Sequence, residues 1–124
     1  MSTRSIIGIA QKNDTINYIY CHFDGYVKDG VGEALLENFS NTKSVLKLLS
    51  NGDIRSILQD STVQHYPDPD IEIRNIDNDE FAPGVMGAEF VYLWHPEAKT
   101  WIYKDYDSAS DDATGVSDWK LLVV

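Results

Sequence analysis

Thr15-Ile16-Asn17-Tyr18-Ile19-Tyr20-Cys21-His22 is the stretch that decides the fold. Ile16, Tyr18, Tyr20 and His22 fall on one face of an extended chain, and Asn17, Ile19 and Cys21 fall on the other. A period of two over eight residues specifies a strand. Just before it, Ser5 to Ala10 is a short apolar run, and Gln11-Lys12-Asn13-Asp14 is a turn. The two runs therefore form an antiparallel hairpin. The second run ends in Tyr20-Cys21-His22-Phe23-Asp24-Gly25-Tyr26, which packs an imidazole, a carboxylate and three aromatic rings into a few residues. A segment selected for packing alone would be more apolar, so contact with a ligand is expected here.

Beyond the hairpin the period changes. Asp24-Gly25 and Asp29-Gly30 punctuate a loop, and Val31, Leu35, Leu36 and Phe39 then make one apolar stripe of a helix from about Val31 to Phe39. Thr42 is the expected N-cap of a second helix with the stripe Val45, Leu46, Leu48 and Leu49, closed by Asn51-Gly52. Asp53 is expected to cap a short helical turn carrying Ile54, Ile57 and Leu58. From Gln59 the pattern is extended. Ile71 to Ile76 reads as a short strand, and Phe81 to Gly87 as a loop. Glu89 to Trp94 and Thr100 to Lys104 read as a hairpin, and Trp119 to Val124 as a terminal strand. The expected architecture is one α+β domain over residues 1–124: an antiparallel sheet of about five to six strands with two helices packed on one face.

The chain has 124 residues and a net charge of −10, which opposes non-specific binding to nucleic acid or to an anionic membrane. Its carboxylates gather between Asp68 and Glu80 and between Asp105 and Asp118. These are either solvated loops or an acidic face that docks on a basic protein. No apolar run approaches the ~20 residues that span a bilayer. The apolar start reads as a first strand rather than a signal peptide. A single cysteine leaves no internal disulfide and fits a reducing cytoplasm.

Chemistry-bearing patterns are few. His22 and Asp24, two apart, point the same way if the strand continues. They could then serve as a general base pair, or form a hydrogen bond that fixes a turn. His65 and His95 stand alone, and Cys21 faces away from His22, so no metal set is assigned. No Gly-x-Ser-x-Gly elbow is present. Gly30-Val31-Gly32-Glu33 opens the first helix and could hold an anion on free N–H groups, with Lys28 nearby, or could simply make the turn.

Arginine is scarce in this acidic chain, so Arg4, Arg55 and Arg74 are candidates for specific pairing. Antiparallel pairing brings Arg4, just before the first strand, near Cys21, His22, Phe23 and Asp24 at the end of the second. An aromatic ring to stack a base, arginine for phosphate and aspartate for hydroxyls would suit a nucleotide-like ligand. The same residues would equally suit an Arg4–Asp24 salt bridge capping the sheet. The candidate ligand-binding set is Arg4, His22, Phe23, Asp24, Tyr26 and Arg55. No catalytic residue, metal ligand or cofactor is assigned.

The opening Met1-Ser2-Thr3-Arg4-Ser5, the Tyr20–Tyr26 segment, Gly30-Val31-Gly32, Leu35-Leu36 and Gly52-Asp53-Ile54 resemble a group of small phage and prophage proteins. Those proteins open Ser-Thr-Arg-Ser and carry Tyr-Cys-His-Trp-Asp-Gly-Tyr. Phe23 stands here in place of the tryptophan and keeps an aromatic ring. The resemblance covers about the first 58 residues. It implies an accessory, counter-defence role in the cytoplasm of an infected host, of the kind played by Thoeris anti-defence proteins, which sequester nucleotide immune signals. The leading expectation is a non-enzymatic, homo-oligomeric protein that sequesters a small nucleotide-type signal. Two others stand beside it: an acidic inhibitor docking on a host defence protein, as anti-CRISPR inhibitors do, and a small hydrolase using His22 and Asp24.

Overall fold

The structure is a computed structural model, and it describes residues 3–58, 60, 62–66, 73–106 and 115–123. Strands β1 (Ser5–Ala10) and β2 (Thr15–Cys21) form the expected hairpin, with Ser5 opposite Cys21 and Ala10 opposite Ile16. Helices α1 (Val31–Asn38) and α2 (Thr42–Leu49) follow, then β3 (Ile54–Ile57), β4 (Val63–His65), β5 (Arg74–Asp77), β6 (Phe90–His95), β7 (Thr100–Asp105) and β8 (Lys120–Leu121). The sheet order is β4-β3-β2-β1-β6-β7-β8, with β5 paired to β2 off this path.

The α+β class holds, and two details of the expected sheet are corrected. Among the described residues it has eight strands rather than five or six, and it is mixed rather than antiparallel, because β1 runs parallel to β6 and β2 parallel to β3. The helices account for the second of these pairings. They carry the chain from the end of β2 back to the start of β3, as a parallel pair requires. The expected helical turn at Ile54 to Leu58 is strand β3 instead, with Ile54 and Ile57 both in the core. Four residues cannot bury a helical face alone, but they can extend an existing sheet.

Both helices cover one face. Val31, Ala34, Leu35, Val45, Leu48 and Leu49 pack on Ile7, Ile19, Cys21 and Ile54. On the other face, Ile6, Ile16, Tyr18, Val91 and Leu93 are covered by the Phe81–Ala88 segment, without an α-helix. The stripes follow the sequence except at Leu46, which is 52% exposed. The N-cap of α2 is Asn41 rather than Thr42: the Asn41 side chain accepts from Ser44 N–H at 2.8 Å. Thr42 has another partner, since its hydroxyl accepts from Trp94 Nε1–H at 3.0 Å. Trp101 Nε1–H donates to Phe39 O at 2.8 Å. The two tryptophans thereby pin the α1–α2 junction to the sheet. Gly52, at φ 71, closes α2 as the sequence indicated.

No helix among the described residues is long and apolar enough to cross a membrane.

Candidate functional site

The site grows from the register at one end of the sheet. Ser5 faces Cys21 across β1–β2, and Cys21 faces Ile54 across β2–β3. Continuing each register by one residue puts Arg4 on one side of His22 and Arg55 on the other. Cys21 and Ile54 point into the helix-covered core. Alternation therefore turns Arg4 and His22 to the helix-free face, while Arg55 sits at a register shift of β3 and its guanidinium is placed by its contact with the Phe23 ring. Strands are about 4.8 Å apart, so the two arginine backbones stand about 10 Å apart with His22 between them.

Side-chain contacts link this row. Tyr20, one place back on the same face, shares a 2.8 Å hydrogen bond with His22 Nδ1. The His22 ring meets Phe23 edge-on at 4.5 Å, and the Arg55 guanidinium lies 5.7 Å from the Phe23 ring centre. Burial raises the Tyr20 phenol above its ordinary value, and the adjacent Arg4 guanidinium offsets part of the rise. Burial also raises the Tyr66 phenol, with Tyr20 adding to the rise and Arg55 opposing it, so Tyr66 borders the row beyond β4. On the other flank a side chain at Gly87 would come within 3.4 Å of Arg4 Nη1. Gly87 has φ 75, a conformation that glycine adopts freely.

Among the described residues, neither Arg4 nor Arg55 lies within ion-pair distance of a carboxylate. Arg74 behaves differently. Its guanidinium forks onto Asp53, Nη1 to Oδ1 at 2.5 Å and Nη2 to Oδ2 at 2.8 Å. Asp53, two residues before Arg55, is thus committed to Arg74 rather than to Arg55.

The candidate residues divide. Arg4, His22, Phe23 and Arg55 come together. The main chain at Arg4 also passes Asp24 as expected, since Gly25 N–H donates to Thr3 O at 2.9 Å. The alternative Arg4–Asp24 salt bridge is not formed. Strand β2 stops at Cys21, and Asp24 turns away at φ 56, so it does not continue the face of His22. The loop that follows wraps α1. Val31 N–H donates to Asp24 O at 2.8 Å, Gly32 N–H to Tyr26 O at 3.0 Å and Glu33 N–H to Val27 O at 2.8 Å. These bonds occupy the first amides of α1, so the anion cradle considered at Gly30–Glu33 is filled by the protein's own backbone. Tyr26 is exposed, and these backbone bonds fix its place.

Tyr20 and Tyr66 were missed. For Tyr20 the signal was present, because it alternates in phase with His22. For Tyr66 there was none, since only the β3–β4 pairing of Ile54 with His65 brings it near.

Chemically, the arrangement offers two guanidinium groups, an imidazole, two phenols and a phenyl ring. The nearby candidate nucleophiles are shut away. Cys21 is fully buried, and its thiol is pushed up to about 12, mainly by burial. Ser5 is equally buried, and its hydroxyl has no hydrogen-bond partner among the described residues. No group of three or more His, Cys, Asp or Glu side chains among the described residues is placed to hold a metal ion.

A broad cleft lies at the opposite end of the sheet, between the β1–β2 and β6–β7 turns, where Lys12, Asp14, Leu46 and Glu97 line it. Its charges are mixed in sign, so shape alone marks it, whereas the Arg4–His22–Arg55 row is marked by chemistry.

No family model matches the chain, and no curated protein or solved structure matches it significantly.

Proposed function

We propose that this protein binds a small nucleotide-type ligand at the Arg4–His22–Arg55 row and holds it without cleaving it, as a phage-encoded counter-defence protein that sequesters an immune signal. The observation that carries this reading is a pair of arginines without carboxylate partners among the described residues, on either side of an aromatic and imidazole cluster, in a chain of net charge −10. Unneutralised guanidinium groups form charge-assisted bonds with phosphate oxygens, and the neighbouring rings suit a base. Local positive potential at the row offsets the overall negative field for an incoming anion. Asp24 and Tyr26, exposed on the loop leaving the site, form its rim. Among the described residues, the burial of the Cys21 thiol and the Ser5 hydroxyl beside the row supports binding rather than turnover.

Nucleotide binding is tested by melting the purified protein with a panel of cyclic nucleotides and ADP-ribose derivatives. A ligand at a hundredfold excess over its dissociation constant adds about 2.7 kcal/mol of stability. The bound compound, released by heat and chromatographed, should emerge unchanged. A new product peak would instead give His22 and Asp24 catalytic roles.

The counter-defence role is tested by infecting a defended host with phage carrying variants of the protein. Arg4→Ala should abolish protection, while neutralising Asp68, Asp70, Asp77 and Asp79 should leave it intact. The opposite pattern would favour docking of the acidic segments on a host defence protein.

A further inference from the structure

The two arginines of the row have different neighbours. The Arg4 guanidinium lies on the β1 side, beside Tyr20 and close to Gly87. The Arg55 guanidinium lies on the β3 side, over the ring of Phe23. Between them stand Tyr20 and His22, joined by their own hydrogen bond. The backbones of the two arginines are separated by two strand spacings, about 10 Å. Of the nearby carboxylates, Asp53 is tied to Arg74, and neither exposed Asp24 nor exposed Glu89 lies within ion-pair distance of either arginine.

We infer that the site takes a ligand with two separated anionic groups, one for Arg4 and one for Arg55, carried on either side of a ring-bearing body that rests over Tyr20 and His22. This rests on the nucleotide reading above and narrows it. The favoured class is a nucleotide phosphorylated at two distant positions, or a dinucleotide, rather than a nucleotide with one phosphate or one contiguous chain of phosphates. Gly87 borders the Arg4 guanidinium, and its backbone conformation, φ 75, favours glycine.

Isothermal titration of the full chain with four probes tests the inference: adenosine, AMP, ADP and adenosine 3′,5′-bisphosphate. ADP matches the bisphosphate in phosphate number but places both groups together. The bisphosphate should bind roughly tenfold or more tightly than AMP and more tightly than ADP, as a second charge-assisted contact allows. Arg4→Ala and Arg55→Ala should each bring the bisphosphate to within about threefold of AMP, and the corresponding lysine variants should recover part of the difference. Both side chains are exposed, so the variants should fold, and urea unfolding checks this. If AMP or ADP binds as tightly as the bisphosphate, the two-anion inference fails and a single anion subsite remains. If the bisphosphate keeps its advantage in both alanine variants, the inference also fails, because the second anion lies elsewhere. If none of the four binds, the nucleotide reading itself falls, and this inference with it.

Discussion

Asp53 and Arg74 form a forked ion pair that joins two segments on the same edge of β2. Strand β5, which carries Arg74, pairs with the first part of β2, and β3, which follows Asp53, pairs with its end. Between the two pairings, Tyr20 N–H finds no strand and donates to Asp53 Oδ1 at 3.0 Å. One carboxylate thus completes the ladder of β2 and receives the guanidinium of Arg74. It also keeps that negative charge away from Arg55.

Asp53→Ala should therefore destabilise the protein by about 1.5–3 kcal/mol, because it leaves both the Tyr20 amide and the Arg74 guanidinium without this acceptor. Urea unfolding measures the change. An unaltered midpoint at unaltered slope would show that solvent satisfies both groups. Asp53→Asn should cost less, since its carboxamide oxygen can still accept from Tyr20.

The tryptophan pins should differ in strength. Trp101→Phe leaves a carbonyl at the end of α1 without its buried donor and should cost about 1–3 kcal/mol. The Trp94–Thr42 bond is only part-buried, so water can replace it, and Trp94→Phe should cost less. Thermal or urea unfolding of the two variants side by side decides this, and equal losses would contradict it.

Cys21 should resist thiol reagents in the native state and react when urea unfolds the chain. Its thiol ordinarily titrates near 9 and is pushed up to about 12 in the fold. Between those values the unfolded chain has lost the proton while the native chain keeps it, so stability falls as pH rises. The contribution is fully present below about pH 9 and fades toward 12, at up to about 1.4 kcal/mol per pH unit. Burial also raises the Tyr92 phenol, which steepens the decline at higher pH. Comparison with Cys21→Ala between pH 8.5 and 9.5, a window of about one unit chosen around the free thiol value, isolates the thiol: the variant should show the shallower slope.

Gly30→Ala should disturb the site from a distance. A methyl group there would run into the carbonyl oxygens of Asp24 and Tyr26, the latter 2.7 Å away. These are backbone atoms and cannot swing aside. Overpacking of this kind costs about 1–3 kcal/mol. The loop that bonds the start of α1 must shift, and Phe23 and His22 lie directly before it. The expected result is a lower melting temperature together with weaker ligand binding.

Local pattern alone determined the β1–β2 hairpin, the two helices and the β6–β7 hairpin, because each is held by neighbours in sequence and repeats with the period of its own element. The same alternation placed Arg4 beside His22, and the punctuation of Gly52 ended α2 correctly. Tertiary structure decided the rest. Ile54 to Ile57 looks like a helical turn in isolation and becomes a strand only because the end of β2 offers it unpaired backbone. The parallel pairing of β1 with β6 joins residues some eighty-five positions apart, at Ser5 and Phe90, and no local period records it. Arg55 and Tyr66 enter the site only through β3 and β4, while Asp24 leaves the face of His22 because β2 stops at Cys21. Alternation and periodicity are properties of one segment, whereas strand order and the meeting of side chains from separate strands depend on where distant backbone finds its hydrogen-bond partners.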